Sequence, residues 1–124
     1  MTAIVTPRAV ADPRPGIVEQ GGRHVLLGGR CVSCGHALAR RTPRCPWCRS
    51  AVEPAAFGPD GVIWAVTVVH VTAGDRDVPY TLAYLDLDDG PRLLVQLDRP
   101  AAVGDRARLA APTPGGDPAA EVLA

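Results

Sequence analysis

Four cysteines in two pairs are the residues best suited to chemistry in this 124-residue chain. Two residues separate the thiols within each pair, Cys31 with Cys34 and Cys45 with Cys48, and ten residues separate the pairs. Each pair can hold one metal ion from a tight backbone turn, and two such pairs complete a tetrahedron of sulfur around Zn²⁺. The spacing predicts one structural zinc ion, because four thiolates leave no coordination position for water.

Disulfides, redox chemistry and unligated core thiols are the alternatives for these cysteines. Residues 1–15 lack the apolar centre of a secretory signal, and no apolar run approaches the roughly 20 residues that cross a bilayer. We therefore expect a cytoplasmic protein without membrane contact, and disulfides are rare in that compartment. A thioredoxin-like redox pair belongs to a βαβ unit, which this sequence does not indicate. The double-pair spacing favours zinc.

The segment around the cysteines is basic, although the whole chain is formally neutral with 13 basic and 13 acidic residues. Between residues 21 and 52 stand six arginines and no Asp or Glu. With four thiolates and Zn²⁺ bound, this segment keeps about four positive charges. Most acidic residues come later, between 75 and 105. Such a charge separation matters for docking a partner or an anionic ligand.

The second half of the chain is predicted to form short β-strands. Four segments are rich in β-branched or alternating apolar residues. They are 62–72, 80–87, 92–97 and 106–111. The first of them is apolar on both alternating faces, which indicates a strand that is curved or covered on both sides. Asp89-Gly90 and Gly104-Asp105 are turn signals.

These patterns predict a mainly β chain. Thirteen prolines and thirteen glycines argue against long helices. A small Greek-key or OB-type barrel accommodates four or five short strands best, because closure removes exposed strand edges. The predicted parts are a flexible N-terminal arm over 1–20, a zinc ribbon over 21–53, a barrel over 54–112 and a flexible tail over 113–124.

The order of ribbon and barrel resembles the DUF35 family, OB-fold proteins with an N-terminal rubredoxin-like zinc ribbon that are described as acyl-CoA-associated. The resemblance covers about residues 22–110. In the ribbon it rests on Gly22-Arg23, Leu26-Leu27, Arg30-Cys31, Cys34-Gly35, Pro43, Cys45-Pro46, Cys48 and Glu53. In the barrel it rests on Gly58, Gly61, Trp64, Thr67-Val68-Val69-His70, Pro79-Tyr80, Ala83-Tyr84-Leu85-Asp86-Leu87-Asp88, Gly90 and Val103-Gly104.

The resemblance implies a non-catalytic accessory subunit of an acyl-CoA-metabolising complex. Members of the family pair with thiolase-superfamily enzymes: thiolases, SCP2-type thiolases or aldolases, and ketosynthase-like acyltransferases. The partner would supply the Cys and His chemistry. We therefore expect a hetero-oligomer in which this chain stabilises the enzyme, with acyl-CoA at the shared interface as a further expectation.

The basic ribbon offers candidate contacts to that partner or to CoA phosphates, because guanidinium groups bind phosphate and carboxylate through paired hydrogen bonds. The candidates are Arg30, Arg40, Arg41, Arg44, Trp47 and Arg49. The same arginines also fit a solvated ribbon surface, and both interpretations stay open. Trp47 is expected to be exposed, as a partner anchor or a shield for the metal. Trp64 is predicted to lie in the barrel core.

Single-stranded nucleic-acid binding is the alternative function, because zinc ribbons and OB barrels also occur in nucleic-acid proteins. That function requires a basic barrel face with aromatic side chains for base stacking. The barrel half is acidic and has few aromatic residues, so the sequence favours the accessory subunit. It contains neither a serine nucleophile motif nor a phosphate loop, and we expect no catalytic site.

Overall fold

The computed structural model describes residues 13–74 and 76–123. Within these ranges the chain forms nine β-strands and no helix, which confirms the mainly β class. The strands are β1 Gly16–Gln20, β2 Arg23–Cys31, β3 Ala37–Leu38, β4 Val52–Phe57, β5 Asp60–Val69, β6 Tyr80–Leu87, β7 Arg92–Leu97, β8 Arg106–Ala110 and β9 Ala119–Val122. A helix long and apolar enough to cross a bilayer is absent from the same residues.

Strand β2 is the centre of the first sheet and pairs antiparallel with β1, β3 and β4. A two-residue turn, Gly21-Gly22, joins β1 to β2 with φ angles of 60° and 79°. Positive φ at both central residues is the hairpin geometry that follows the twist of the strands, and glycine adopts it without steric cost.

Strand β1 corrects the prediction of a flexible arm over 1–20. Residues 16–20 pair with β2, because the Gly-Gly turn folds them back along it; residues 1–12 lie outside the described residues. The same sheet continues through β4 to Phe57. The predicted boundary between ribbon and barrel at 53/54 therefore falls inside a strand.

The other five strands form a closed barrel in the order β5-β6-β7-β9-β8. Strands β7 and β9 are parallel, and the other neighbours are antiparallel. This five-stranded arrangement is that of an OB fold. Strands β6 and β7 have the predicted bounds, whereas β5 begins earlier, at Asp60, and ends at Val69.

Strand β9 corrects the prediction of a flexible tail over 113–124. Residues 119–122 complete the barrel between β7 and β8, and the side chain of Ala120 is buried in its core. The edges of β7 and β8 present unpaired N–H and C=O groups that a fifth strand satisfies. Tertiary pairing, rather than local strand preference, makes this segment a strand.

Phe57 joins the two sheets into one core. It is buried together with Leu26 from the first sheet and with barrel residues that include Leu85 and Leu109. The contact between Phe57 and the β6–β7 turn is close, since a Cβ atom on Gly90 would lie 2.7 Å from Cβ and Cγ of Phe57. The ribbon and the barrel therefore pack as one unit.

Arg30 reinforces this joint from the ribbon side. Its guanidinium carbon lies 5.2 Å from the centroid of the Phe57 ring. The same guanidinium donates hydrogen bonds to the carbonyl oxygens of Gly35, at 2.8 Å, and Asp89, at 2.9 Å. The side chain thus links the first cysteine turn to the β6–β7 turn of the barrel.

Replacing Phe57 with Ala should lower the unfolding free energy of the metal-loaded protein by about 3–5 kcal/mol, because it leaves a cavity where the two sheets meet. Urea unfolding followed by circular dichroism measures the change. Phe57→Leu keeps most of the volume and should cost less than half as much. A loss below about 1 kcal/mol for Phe57→Ala would show that the two sheets do not depend on a shared core.

Candidate metal centre

The four predicted cysteines converge on one point. Their sulfur atoms all lie within 4.8 Å of one another. The Sγ atoms of Cys31 and Cys48 are 3.3 Å apart, and those of Cys34 and Cys45 are 3.7 Å apart. A zinc ion with four sulfur ligands at about 2.3 Å requires separations of about 3.8 Å between them. The four cysteines are therefore clustered to hold one metal ion, and both the donor type and the spacing fit Zn²⁺.

The same backbone turn builds both cysteine pairs. In each turn, the residue after the second cysteine donates its N–H to the carbonyl oxygen of the first: Gly35 to Cys31 at 3.1 Å, and Arg49 to Cys45 at 2.9 Å. Gly35 and Arg49 both adopt left-handed conformations, with φ angles of 76° and 65°. This backbone path aims both thiols of a pair at the same point, so the two turns face each other across the metal position.

The neighbouring sulfur atoms influence the pKa values of Cys34, Cys45 and Cys48. Hydrogen bonds from the side chain and backbone of Ser50 lower the pKa of Cys48 to about 6. The backbone N–H of His36 favours the thiolate of Cys34, but desolvation and the neighbouring sulfur atoms raise the pKa of that thiol to about 12. Thiolates this close oppose one another's charge, and a divalent cation removes the opposition. The cluster is thus arranged for a cation.

Trp47 links the two cysteine turns on the solvent side. Its Nε1 donates a hydrogen bond of 2.8 Å to Nδ1 of His36, and the two rings meet edge to face with centroids 5.1 Å apart. Trp47 is exposed, as the sequence predicts. A large aromatic side chain in water beside a rigid turn is a suitable anchor for another surface.

The candidate arginines of the ribbon fall into two groups. Arg30 is half-buried, and its guanidinium is hydrogen-bonded to the carbonyl oxygens of Gly35 and Asp89 in the joint with the barrel. Arg44 is exposed and donates to the carbonyl oxygen of Arg49. In the part of the chain that the structure describes, the exposed side chains of Arg40, Arg41 and Arg49 make neither a hydrogen bond nor an ion pair.

Comparison with known proteins finds relatives of this chain. Residues 55–111 match the family described as ChsH2, C-terminal OB-fold domain. DUF35 domain-containing scaffold proteins of Methanocaldococcus jannaschii and Pyrococcus furiosus are 32% and 35% identical to this chain over 60% of its length. The chain resembles proteins of the DUF35 family.

The chain is also 31% identical to the benzoylsuccinyl-CoA thiolase subunit BbsA of Geobacter metallireducens, over 68% of its own length and 60% of the relative's. It covers 56% and 57% of the two scaffold proteins, so it spans less than two thirds of the curated relatives it matches.

Two solved structures share the fold of this chain. The Ltp2-ChsH2(DUF35) aldolase superposes with a TM-score of 0.62 at 25% identity, over 78% of this chain and 84% of that one. A DUF35-family protein of unknown function from Sulfolobus solfataricus superposes with a TM-score of 0.59 at 17% identity, over 78% and 75% of the two chains. At 17% identity, the similarity to the Sulfolobus solfataricus protein shows a shared fold and nothing more.

Trp64 of the barrel does not lie in the core, so that prediction is wrong. Ile63 occupies the inward position of β5, and the pairing with β6 shifts register between Ile63 and Ala65, which leaves Trp64 as the extra residue of a β-bulge with its side chain 53% exposed. The guanidinium carbon of Arg92 lies 3.6 Å from the centroid of a Trp64 ring. Tyr84 meets the same side chain edge to face at 6.1 Å. Sequence reasoning missed this outer aromatic group.

Arginines neutralise part of the acidic charge that the sequence predicts for the barrel. Three Asp–Arg pairs are each formed by two guanidinium hydrogen bonds. They are Asp86 with Arg92, Asp88 with Arg106, and Asp60 with Arg108. The hydrogen bonds from the arginines lower the pKa values of Asp88 and Asp60. The barrel surface is therefore more balanced in charge than a count of acids suggests.

Freshly purified, unchelated protein should contain about one equivalent of zinc per chain, because four thiolates fill one tetrahedral shell. Cys31→Ser removes a buried ligand and should reduce the metal to less than half an equivalent. Elemental analysis by plasma mass spectrometry measures both. Ser33→Ala, an exposed change in the same turn, should leave the metal content unchanged. Less than half an equivalent in the unmodified protein would contradict the site.

Substitutions at the two left-handed positions should have opposite effects on stability. Arg49→Gly removes about 1–2 kcal/mol of backbone strain from the folded state. The greater freedom of glycine in the unfolded chain offsets about 0.5–1 kcal/mol of this gain, so the metal-loaded protein should become more stable by about 0.5–1 kcal/mol. Gly35→Ala introduces the same strain without a steric clash, since nothing lies within 4 Å of the position that the new methyl group would take; it should destabilise by about 1 kcal/mol.

Chemical denaturation of the zinc-loaded variants measures both changes. Arg49→Ala keeps the strain but removes the guanidinium, and so isolates the contribution of the side chain. A change of the same sign for Arg49→Gly and Gly35→Ala would contradict the equivalence of the two turns.

Proposed function

We propose that this chain is a non-catalytic accessory subunit that binds one structural Zn²⁺ ion and stabilises a thiolase-superfamily enzyme of acyl-CoA metabolism. The partner classes are thiolases, SCP2-type thiolases or aldolases, and ketosynthase-like acyltransferases. The observation that carries the proposal is the kinship with a benzoylsuccinyl-CoA thiolase subunit and with the Ltp2-ChsH2(DUF35) aldolase. Both are named together with enzymes of this kind.

The cysteine chemistry of the chain supports a structural role. All four sulfur atoms face one another, and a tetrahedral shell of four thiolates leaves no place for water or substrate. Catalysis then belongs to the Cys and His residues of the partner. Relatives that are named scaffold proteins support the same division between a catalytic partner and a non-catalytic chain. The unpaired thiols favour a reducing compartment, and we place the complex in the cytoplasm.

The exposed ribbon surface is our proposed contact region for the partner or for CoA phosphates. It comprises Arg40, Arg41, Arg44, Trp47 and Arg49. Three of these guanidinium groups have no partner among residues 13–74 and 76–123, so they are available to a phosphate or a carboxylate. A bound zinc ion contributes on the order of 10 kcal/mol to folding such a segment and keeps the surface rigid. A rigid surface loses little entropy when it binds.

The alternative of single-stranded nucleic-acid binding has less support. Bases stack on open aromatic faces. On the barrel, the guanidinium carbon of Arg92 lies over Trp64, and that of Arg76 lies 4.8 Å from the centroid of the Tyr80 ring. The arginines are themselves bound to Asp86 and Asp117. These aromatic faces are thus covered by neutralised arginines, which suits a protein surface better than a base.

An affinity-tagged chain expressed in its native host should co-purify with a thiolase-superfamily enzyme in near-equal molar amounts. Mass spectrometry identifies the partner, and sedimentation of the eluted complex gives the ratio. The isolated chain should show no thiolytic or condensing turnover with acyl-CoA. Retention of oligonucleotides that is lost as salt rises, with no enzyme captured, would favour the nucleic-acid function instead.

A further inference from the structure

Two of the four cysteine sulfur atoms at the metal centre are open to solvent. Cys34 and Cys48, the second cysteine of each turn, are exposed. Cys31 and Cys45 are buried, with relative exposures of 2% and 1%. A metal ion holds its thiol ligands in the deprotonated form, and the thiolate is the form that reacts with oxidants. The centre therefore presents two thiolates to solvent and covers the other two.

Each exposed thiol contacts a buried thiol of the opposite turn. Sγ of Cys48 lies 3.3 Å from Sγ of Cys31. Sγ of Cys34 lies 3.7 Å from Sγ of Cys45. Cysteines that sense oxidants combine an accessible thiolate with a second thiol that condenses with its oxidised form. The two turns thus hold two pairs of this kind, each made of an exposed and a buried sulfur atom.

Little apart from the metal holds these turns in place. Among the described residues, the buried cluster at the centre consists of two ligands, Cys31 and Cys45, together with Val52. Trp47 stands between the two cysteines of the second turn, and Arg49 follows them directly. Both belong to the contact region proposed above. A change in the state of the four sulfur atoms therefore reaches that surface.

We propose that Cys34 and Cys48 are sites of reversible oxidation by a peroxide. Each exposed cysteine then forms a disulfide with the buried cysteine that it contacts, and the metal is released. The inference rests on the zinc binding in the function proposed above and is independent of the identity of the partner. Disulfides in a reducing compartment are usually transient and redox-sensing, which agrees with this role.

Each pair of cysteines consumes one peroxide molecule. The exposed thiolate attacks the O–O bond, an S–O bond forms, and hydroxide leaves, which gives a sulfenic acid. The buried thiolate then attacks this sulfur; the S–S bond forms, and the S–O bond breaks with loss of a second hydroxide. The two thiolates have lost two electrons, and hydrogen peroxide has become two hydroxide ions, which take up protons to form water. Disulfide sulfur has no charge to hold a cation, and a dithiol reductant restores the thiolates by exchange.

Stepwise addition of hydrogen peroxide to the zinc-loaded full chain tests the inference. A coloured zinc chelator reports the released metal, and about two equivalents of peroxide should release about one equivalent of zinc. The chain contains no further cysteine and only one methionine, so few other groups consume the oxidant. Dithiothreitol with added zinc should restore the metal content.

Mass spectrometry of unreduced tryptic fragments identifies the disulfides. Trypsin cleaves after Arg40, Arg41 and Arg44 and so separates the two cysteine turns. Disulfides between the turns therefore give linked peptides, whereas disulfides within a turn do not. Linked peptides are the expected result.

Histidine variants separate the two pairs, because imidazole completes a zinc shell with three thiolates but forms no disulfide. Cys48→His should bind zinc and yield the disulfide between Cys34 and Cys45. Cys34→His should yield the disulfide between Cys31 and Cys48. Ser33→Ala, an exposed change beside Cys34, should behave like the unmodified chain.

Zinc that stays bound in a large excess of peroxide would overturn the inference and leave the proposed function standing. Release of zinc with disulfides within each turn, or with irreversible sulfinic acids, would overturn it in the same way. Less than half an equivalent of zinc in the untreated, unchelated chain would overturn both, because neither the structural ion nor its release would then exist.

Discussion

The convergence of two distant cysteine pairs on one ion is the constraint on which the ribbon depends. Among the described residues, the buried apolar cluster around the cysteines consists of Cys31, Cys45 and Val52, with Leu38 packed against it. A cluster of this size cannot offset the conformational entropy of the two turns and the segment between them. Metal–thiolate bonds supply the missing free energy. The ribbon surface therefore has a defined shape only while the metal is bound.

The geometry set at the metal is transmitted to the barrel through β2 and β4. Cys31 pairs with Val52 at the metal end of this antiparallel ladder, and Leu26 pairs with Phe57 at the barrel end. Because Phe57 and Leu26 are part of the barrel core, the ladder is a rigid link between the two. It fixes the position of the basic ribbon surface relative to the barrel.

The features that the sequence predicts correctly have local causes. The convergence of the four cysteines follows from the spacing of thiols in two short turns, and the bounds of β6 and β7 follow from alternation between clear turns. The features that it misses depend on tertiary structure. Strand β9 exists because the barrel has an open position between β7 and β8. Trp64 points outward because it is the extra residue of a β-bulge in the pairing of β5 with β6.

Two of the missed features left a signal in the sequence. Gly21-Gly22 is a two-residue hairpin loop, which would have predicted strand β1. The apolar residues on both alternating faces of 62–72 were a signal that some of them, such as Trp64, lie on the outer face of the barrel. No sequence pattern could have shown that Arg14, Arg76 and Asp117 meet, since the chain separates them widely and only the closed barrel brings them together.

X-ray absorption at the zinc edge of the purified protein tests the central claim most directly, because it reports the ligands of the metal without reference to the fold. The account predicts a single shell of four sulfur atoms at about 2.3 Å, with no nitrogen or oxygen in it. A mixed shell that contains water or imidazole, or fewer than four sulfurs for each zinc ion, would contradict it.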